Sequence, residues 1–369
     1  MTTQSDDTQP SAPRTSPPGP GSAALGRPTL QQVAALAGVS RATASRVVNG
    51  GAGVRLHVQA KVRKAVEELG YVPNPAARTL MTRRHDAVAV VVAEPESRVF
   101  SDPFFAQQLR GIGRELSAAA VQLVLLLVTD AGDYAQVGRY LAAGHVDGAL
   151  IFSLHRDNPL PVMVDRLGLP VVYGGRPEWG EPGSIPLYVD TDNRGGARAA
   201  AEHLVARGRR RIAVITGPLD QTSSVDRLDG FRDVFPNFPD SDPDLLVEGD
   251  FTAPGGRRAM ERLLDRSPDL DAVFACSDLM AAGALAVLAE RGLRVPEDVA
   301  VVGYDDSDTA AQWASPPLTT VRQDIEEMGR LMARLLLNRL QLEFDGRPDE
   351  AAALTSVVTP AELIVRRSS

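Results

Sequence analysis

TLQQVAALAGVSRATASRVVN, residues Thr29 to Asn49, decides how the N-terminal part of the chain folds. Leu30, Val33, Ala34 and Ala37 recur at the i, i+3, i+4, i+7 spacing of one helix face. Thr29 stands where a cap belongs, with Gln32 three residues on as in a capping box. Gly38 interrupts the pattern, and Ser40 can cap a second start whose apolar face is Ala44, Val47 and Val48. The spacing predicts two short helices about a tight glycine turn. Further along, VQAKVRKAVEEL (58–69) is a third amphipathic segment, with Val58, Val62, Ala65, Val66 and Leu69 inward and Gly70 as its stop. Residues 29–73 thus make a minimal three-helix core that opens with a helix-turn-helix.

The flanks read differently. Pro73 and Pro75 end the third helix, and Pro75 suits the first turn of a short new one capped by Asn74. Such a helix is too short to be stable alone. Residues 74–85 are therefore expected to form a hinge helix and linker. Residues 1–28 are rich in Pro, Ser, Thr and Gly and hold almost no large apolar side chains, so a disordered tail is expected there.

Charge divides the chain in the same places. The 369 residues carry a net −8, but residues 29–84 hold nine Lys and Arg against two Glu, a net +7. Residues 1–28 cancel, which leaves −15 for residues 85–369. A basic module joined to an acidic one fits a protein in which one part approaches phosphate and the other avoids it, although chance variation in surface charge gives the same numbers. With 44% hydrophobic residues the chain is expected to be globular, and no apolar run approaches the roughly 18 residues of a membrane span. The N-terminus has neither a basic start nor an apolar core, which predicts a cytoplasmic protein. Cys276 is the only cysteine, and the five histidines stand singly, so no disulfide, metal or other cofactor is expected.

Beyond Asp86, apolar strand-like runs alternate with amphipathic ones. The runs are 87–93, 123–128, 149–152, 171–173, 212–216, 272–276 and 299–302, continuous as parallel strands covered on both faces should be. Helical segments intervene near 105–116, 134–143, 195–207, 257–264, 279–291 and 325–340. Repeated βα units imply parallel sheets, and roughly 280 residues exceed one comfortable core, so two lobes are expected. The polar stretch Glu178 to Arg194 is the expected crossing between them. A cleft lined by strand C-termini is where such folds bind small ligands.

The segment 29–49, together with Val54 and VEELGYVPN (66–74), resembles the helix-turn-helix of the lactose-repressor (LacI/GalR) family of transcriptional regulators, and the likeness continues across essentially all of the remaining chain. It implies an all-α head and a periplasmic-binding-protein-like α/β body of two doubly wound parallel-sheet lobes. The body spans 86–366, with one lobe near 86–188 and 325–350 and the other near 189–323 and 351–366. In this family the second helix presents its N-terminal end to the major groove. Arg41 and Ala42 match the base-reading positions and Arg46 lies one turn on; Arg41 and Arg46 can each grip guanine, while Ala42 offers only apolar contact. A phosphate contact for Arg41 is the alternative. Thr29, Ser40, Thr43, Ser45 and Asn49 match positions that hold the DNA backbone. Leu80, at the end of the expected hinge helix, matches the family's minor-groove wedge, with Ala77 and Arg78 beside it; ordinary packing is the other reading of Leu80.

In the body, DPFFAQQLRG (102–111) resembles the segment whose aromatic pair lines the effector cleft, and Phe104 and Phe105 are each either a stacking surface or core. Arg227 matches the ligand-holding arginine, Phe251 the aromatic platform, and Ser277 with Asp278 a polar pair near the ligand. Asp305 stands at a strand C-terminus, and Gln323 ends the segment PPLTTVRQ (316–323) that crosses between lobes. Gly175 occupies a place where several members carry an aspartate, and Arg176 is the residue placed to substitute for it. The resemblance is closest to members responding to cellobiose and other oligosaccharides.

The expected function is therefore a dimeric repressor of carbohydrate-utilisation genes, bound to an inverted-repeat operator and released by a mono- or oligosaccharide. An enzyme would need a phosphate loop, a nucleophile elbow or a metal site. The chain's two lysines both lie in the basic module, and no Gly-x-Gly-x-x-Gly follows the first strand. A periplasmic receptor would need an export signal and no recognition helix. A nucleoid or RNA-binding protein would need no ligand cleft.

Overall fold

The computed structural model describes residues 28–49, 53–72, 84–178, 186–240, 242–312 and 314–369. Residues 1–27 of the expected tail, and Asn74, Ala77, Arg78 and Leu80 of the expected hinge, lie outside the described residues. The chain divides into two units, one up to Arg84 and the other from His85 onward.

The first unit holds α1 (Leu30–Ala37), α2 (Arg41–Val48) and α3 (Leu56–Leu69). The Thr29 hydroxyl accepts from the Gln32 amide at 3.3 Å, and Gln32 Oε1 accepts from the Thr29 amide at 2.7 Å, so the capping box is closed from both sides. Gly38, at φ 65°, ends α1 in the left-handed conformation that lets the chain turn back at once into α2. Val33, Ala34, Ala37, Ala44, Val62 and Ala65 form the buried centre, and their small size lets three short helices pack closely. Helix α3 begins two residues before the apolar periodicity does, because Leu56 in its first turn is 82% exposed and belongs to no buried face.

The second unit has two six-stranded sheets. The first is built from β1 (Ala87–Val92), β2 (Gln122–Leu127), β3 (Gly148–Phe152), β4 (Val171–Gly174), β5 (Tyr188–Thr191) and β11 (Val357–Thr359), in the order β11-β5-β4-β3-β1-β2 and parallel throughout. The second is built from β6 (Ile212–Thr216), β7 (Leu246–Glu248), β8 (Ala272–Ala275), β9 (Ala300–Asp305), β10 (Thr319–Arg322) and β12 (Glu362–Ile364), in the order β12-β10-β9-β8-β6-β7. Only β12 runs antiparallel among the described strands.

Helices cover both sheets. On the first lie α4 (Glu96–Ser101), α5 (Pro103–Ala118), α6 (Ala131–Ala142), α7 (Leu160–Leu167) and the long α12 (Ile325–Phe344), which is followed by α13 (Pro348–Ala352). On the second lie α8 (Asn193–Ala206), α9 (Thr222–Val234), α10 (Ala253–Arg266) and α11 (Asp278–Glu290). Val88, Val90, Phe105, Ile112, Leu116, Leu150, Met332 and Leu336 pack the face shared with α5 and α12, while Val214, Phe231, Met260, Phe274 and Leu288 anchor the second lobe. α5 and α12 cross at glycine: a Cβ on Gly111 would overlap the Glu326 carbonyl, and one on Gly329 would overlap that of Gln108.

The lobe boundaries differ from the sequence expectation at two points. β5 belongs to the first sheet, not the second lobe, and so does β11, which was expected with the second lobe. The chain crosses after Thr191, after Arg322 and after Thr359. Both strands are three or four residues long and carry buried polar side chains, Asp190, Thr191 and Thr359, which hide them from a search for apolar runs.

Candidate functional site

In the parallel sheets the strand C-termini point into a cleft between the two lobes of the second unit. It holds about 940 Å³ of space not filled by atoms, its open mouth included, and polar and aromatic side chains converge on it, as at small-molecule sites. The loop after β4 supplies Gly175 and Arg176, the end of β5 supplies Asp190, and β9 ends in Asp305. Ser277, the cap of α11, follows β8, and Gln323 follows β10.

Arg227 lies at the floor of this cleft and is 5% exposed. Its Nε donates to Asn193 Oδ1 at 2.9 Å and its Nη1 to the Cys276 carbonyl at 2.6 Å, while the guanidinium lies over the Tyr304 ring at 3.7 Å. The Asp305 carboxylate stands 3.7 Å from Nη1 and accepts from Gln323 Nε2 at 2.7 Å. Burial raises the Asp305 carboxyl well above the usual carboxylate range, against the opposing pull of Arg227, with Asp102 adding like-charge repulsion. Phe251, held at φ 61°, lines the cleft, and Gly217 leaves room for its ring: a Cβ there would overlap it. Arg98 stacks over the Phe251 ring from the first lobe at 5.0 Å.

Two of the sequence-expected contacts are corrected. Phe105 is fully buried between sheet and helix, stacked with Phe152 at 6.1 Å, while Phe104 alone of the aromatic pair lines the cleft. Asp278 turns away from the cleft: its carboxylate accepts from Thr320 Oγ1 at 2.5 Å and from the Ser307 amide at 2.8 Å. Burial raises the Asp278 carboxyl also. Cys276 is buried, and burial pushes its thiol up to about 12.

Several residues at the site went unread in the sequence because their pairing is non-local. His155 follows β3 in the first lobe, and its Nδ1 meets Asp220 of the second lobe at 2.8 Å. Its Nε2 lies 3.5 Å from Glu94 and 3.1 Å from Gln221 Nε2, which itself donates to Glu94 at 3.1 Å. Hydrogen bonding to Glu94, and then to Asp220, raises the His155 pKa against the effect of burial. Arg176 reaches across to Asp226 on α9, at 2.6 and 2.9 Å, and the Thr222 hydroxyl donates to the Arg176 carbonyl at 2.6 Å. These bonds tie the lobes together at the cleft. Arg176 was named from the sequence, but its partner Asp226 was not; for Glu94, His155 and Asp220 the available signal was position, since each follows a buried strand within a few residues.

In the first unit, Arg41, Ala42 and Arg46 are exposed on α2, and neither arginine forms an ion pair among the described residues. The Ser40 hydroxyl accepts from the Thr43 amide at 3.1 Å and lies 2.9 Å from the Thr43 hydroxyl; Asn49 Nδ2 donates to Ser45 Oγ at 3.3 Å. Thr29 thus caps α1, and Ser40, Thr43, Ser45 and Asn49 brace the two ends of α2, the helix that carries the exposed arginines.

A helix-turn-helix with exposed arginines on its second helix, on the same chain as a two-lobed α/β body with a polar cleft, defines a DNA-binding regulator with a small-molecule-binding domain. Residues 29–74 match the bacterial regulatory proteins of the lacI family, and residues 201–369 match the periplasmic binding protein-like domain. The chain is 51% identical over 343 residues to the HTH-type transcriptional regulator CelR of Thermobifida fusca, covering 93% of this chain and 98% of that one. Among solved structures, a transcriptional regulator CelR–cellobiose complex matches with a TM-score of 0.72 and 48% identity, over 93% of this chain and 100% of that chain. The lac repressor dimer bound to operator and the anti-inducer ONPF matches with a TM-score of 0.76 and 27% identity, over 93% and 99%. The chain belongs to the LacI family of bacterial transcriptional regulators. No helix among the described residues is long and apolar enough to cross a membrane.

Proposed function

We propose that this regulator is a repressor of carbohydrate-utilisation genes, that it binds an inverted-repeat operator as a homodimer inside the cell, and that cellobiose or a closely related β-linked gluco-oligosaccharide releases it. The observation that carries this reading is the cleft, in which an aromatic ring, Phe251, lies with a buried Arg227 and the Asp305 carboxylate. An aromatic face with carboxylate and guanidinium groups around it suits a ring that presents apolar C–H on one side and hydroxyls at its edge. The 51% identity to CelR, and the cellobiose complex of a CelR, supply the sugar. The body acts here by binding and not by catalysis.

Arg41 and Arg46 read bases, Ala42 contributes apolar contact, and Thr29, Ser40, Thr43, Ser45 and Asn49 hold the phosphates. In the cleft, Phe104, Arg176, Arg227, Phe251, Ser277, Asp305 and Gln323 contact the effector. A sugar that binds one arrangement of the lobes better than the other shifts the body toward it, and the operator-bound population falls accordingly. Fluorescence anisotropy of the full chain on a palindromic operator tests this. Millimolar cellobiose is expected to release the duplex while a non-carbohydrate osmolyte does not. Retention of the operator at every sugar tested contradicts the reading.

A further inference from the structure

Gln108, on the second turn of α5, lines the cleft yet is fully buried, and its Oε1 atom has no hydrogen-bond partner among the described residues. Its Nε2 donates to the Met332 thioether at 3.0 Å. A thioether only accepts, so the amide orientation is fixed by that bond and the oxygen is the free end. Gly174, at the end of β4 and also lining the cleft, leaves the space in which the amide sits, since a Cβ there would press on Gln108 Nε2 and Met332 Sδ at 2.9 Å. A buried oxygen without a donor is costly unless something supplies one.

The charges around it lean the same way. Each cleft arginine already has a carboxylate: Arg98 has Glu94 at 2.6 Å, Arg176 has Asp226 at 2.6 Å, and Arg227 has Asp305 at 3.7 Å. Asp102 and Asp190, both lining the cleft, have no ion-pair partner among the described residues. The Asp190 oxygens are taken by the Thr191 and Arg176 amides and by Asn193, whereas Asp102 accepts through Oδ1 from the Phe104 amide at 3.0 Å. The first-lobe wall therefore has spare acceptors, at Gln108 and Asp102, and no spare cation.

We propose that Gln108 is an effector contact and a specificity-determining residue: with Asp102 it accepts hydroxyl donors from a neutral sugar, and the surplus of carboxylates makes the same cleft reject sugar acids and sugar phosphates. This rests on the sugar-effector reading above and narrows it to a chemical class. A bound hydroxyl supplies the proton that Gln108 Oε1 lacks. A carboxylate or phosphate there meets only acceptors and like charge, with no unpaired cation to compensate.

Isothermal titration of the full chain compares cellobiose, cellobiouronic acid and the methyl ester of that acid, which keeps the bulk of the carboxyl and removes its charge. The acid is expected to bind at least 100-fold more weakly than its ester. In a second arm, Gln108→Leu is expected to lose at least tenfold in cellobiose affinity while the sugar-free Tm stays level or rises, because the variant removes an unpartnered oxygen. A purely structural role would instead lower Tm and leave affinity alone. If Gln108→Leu does not fold, Gln108→Met serves in its place, and the acid–ester comparison needs no variant. An acid that binds within threefold of its ester, or a variant with unchanged cellobiose affinity, overturns this proposal and leaves the sugar-effector reading intact. If none of the three sugars binds, both readings are overturned.

Discussion

Arg227 shows how one buried side chain organises the second lobe's share of the cleft. Its guanidinium satisfies Asn193, the Cys276 carbonyl and, more distantly, Asp305. Arg227→Ala leaves those acceptors unpaired in a buried setting, and removal of one member of such a pair costs roughly 3–5 kcal/mol. Urea denaturation of the variant is expected to show a loss of about 3 kcal/mol; a loss below about 1 kcal/mol would mean the network is already solvated. In the first unit the test is of function. Arg41→Ala is expected to cost about 1–3 kcal/mol on the cognate operator and far less on bulk DNA, because a base contact specifies whereas a phosphate contact does not. Equal weakening on both in a competition assay would assign Arg41 to phosphate. Sequence reading reaches the limit of its resolution at this scale. The resemblance points to Phe104 and Phe105 alike, and to Ser277 with Asp278, but adjacent residues of α5 face directions about 100° apart, and the chain turns from the extended Ser277 into α11 at Asp278, so neighbours in sequence take different surroundings. Phe104 and Ser277 face the cleft, while Phe105 and Asp278 are turned into the core.

Among the elements, the loops after β1, β3, β4 and β6 meet one another across the cleft through His155, Glu94, Gln221 and Asp220, with Arg176 and Asp226 beside them. His155 is stabilised in its protonated form, so its folded pKa exceeds its unfolded value near 6.5. Its contribution to stability is therefore complete below about pH 6.5 and is lost as pH rises through the raised value. The Tm of the full chain is expected to fall over that window more in the wild type than in His155→Gln, measured by scanning calorimetry at fixed ionic strength. Superimposable profiles would show that the histidine does not hold the lobes. The long strands were legible because continuous runs such as AVAVVV at β1 bury both faces, and the helix-turn-helix because its caps and glycine stand at fixed offsets. β5 and β11 were not legible, since three- or four-residue strands with buried polar side chains carry no periodic signal and take their place only from their neighbours in the sheet. Partners such as His155 and Asp220, 65 residues apart, are set by topology and not by spacing.

For the whole molecule, charge and architecture divide the work. The +7 of residues 29–84 suits approach to phosphate, and the −15 of the remainder keeps the larger body from sticking to it. In the proposed function these two units are energetically coupled, so that a sugar in the cleft of one changes the grip of the other. Coupling of binding free energies is reciprocal: whatever factor the sugar takes from operator affinity, the operator must take from sugar affinity. The most direct test is the cellobiose Kd of the full chain, measured calorimetrically once free and once saturated with operator duplex. The account predicts weaker sugar binding on the operator, by the same factor by which saturating cellobiose weakens the operator complex. Identical Kd values in the two states would contradict it.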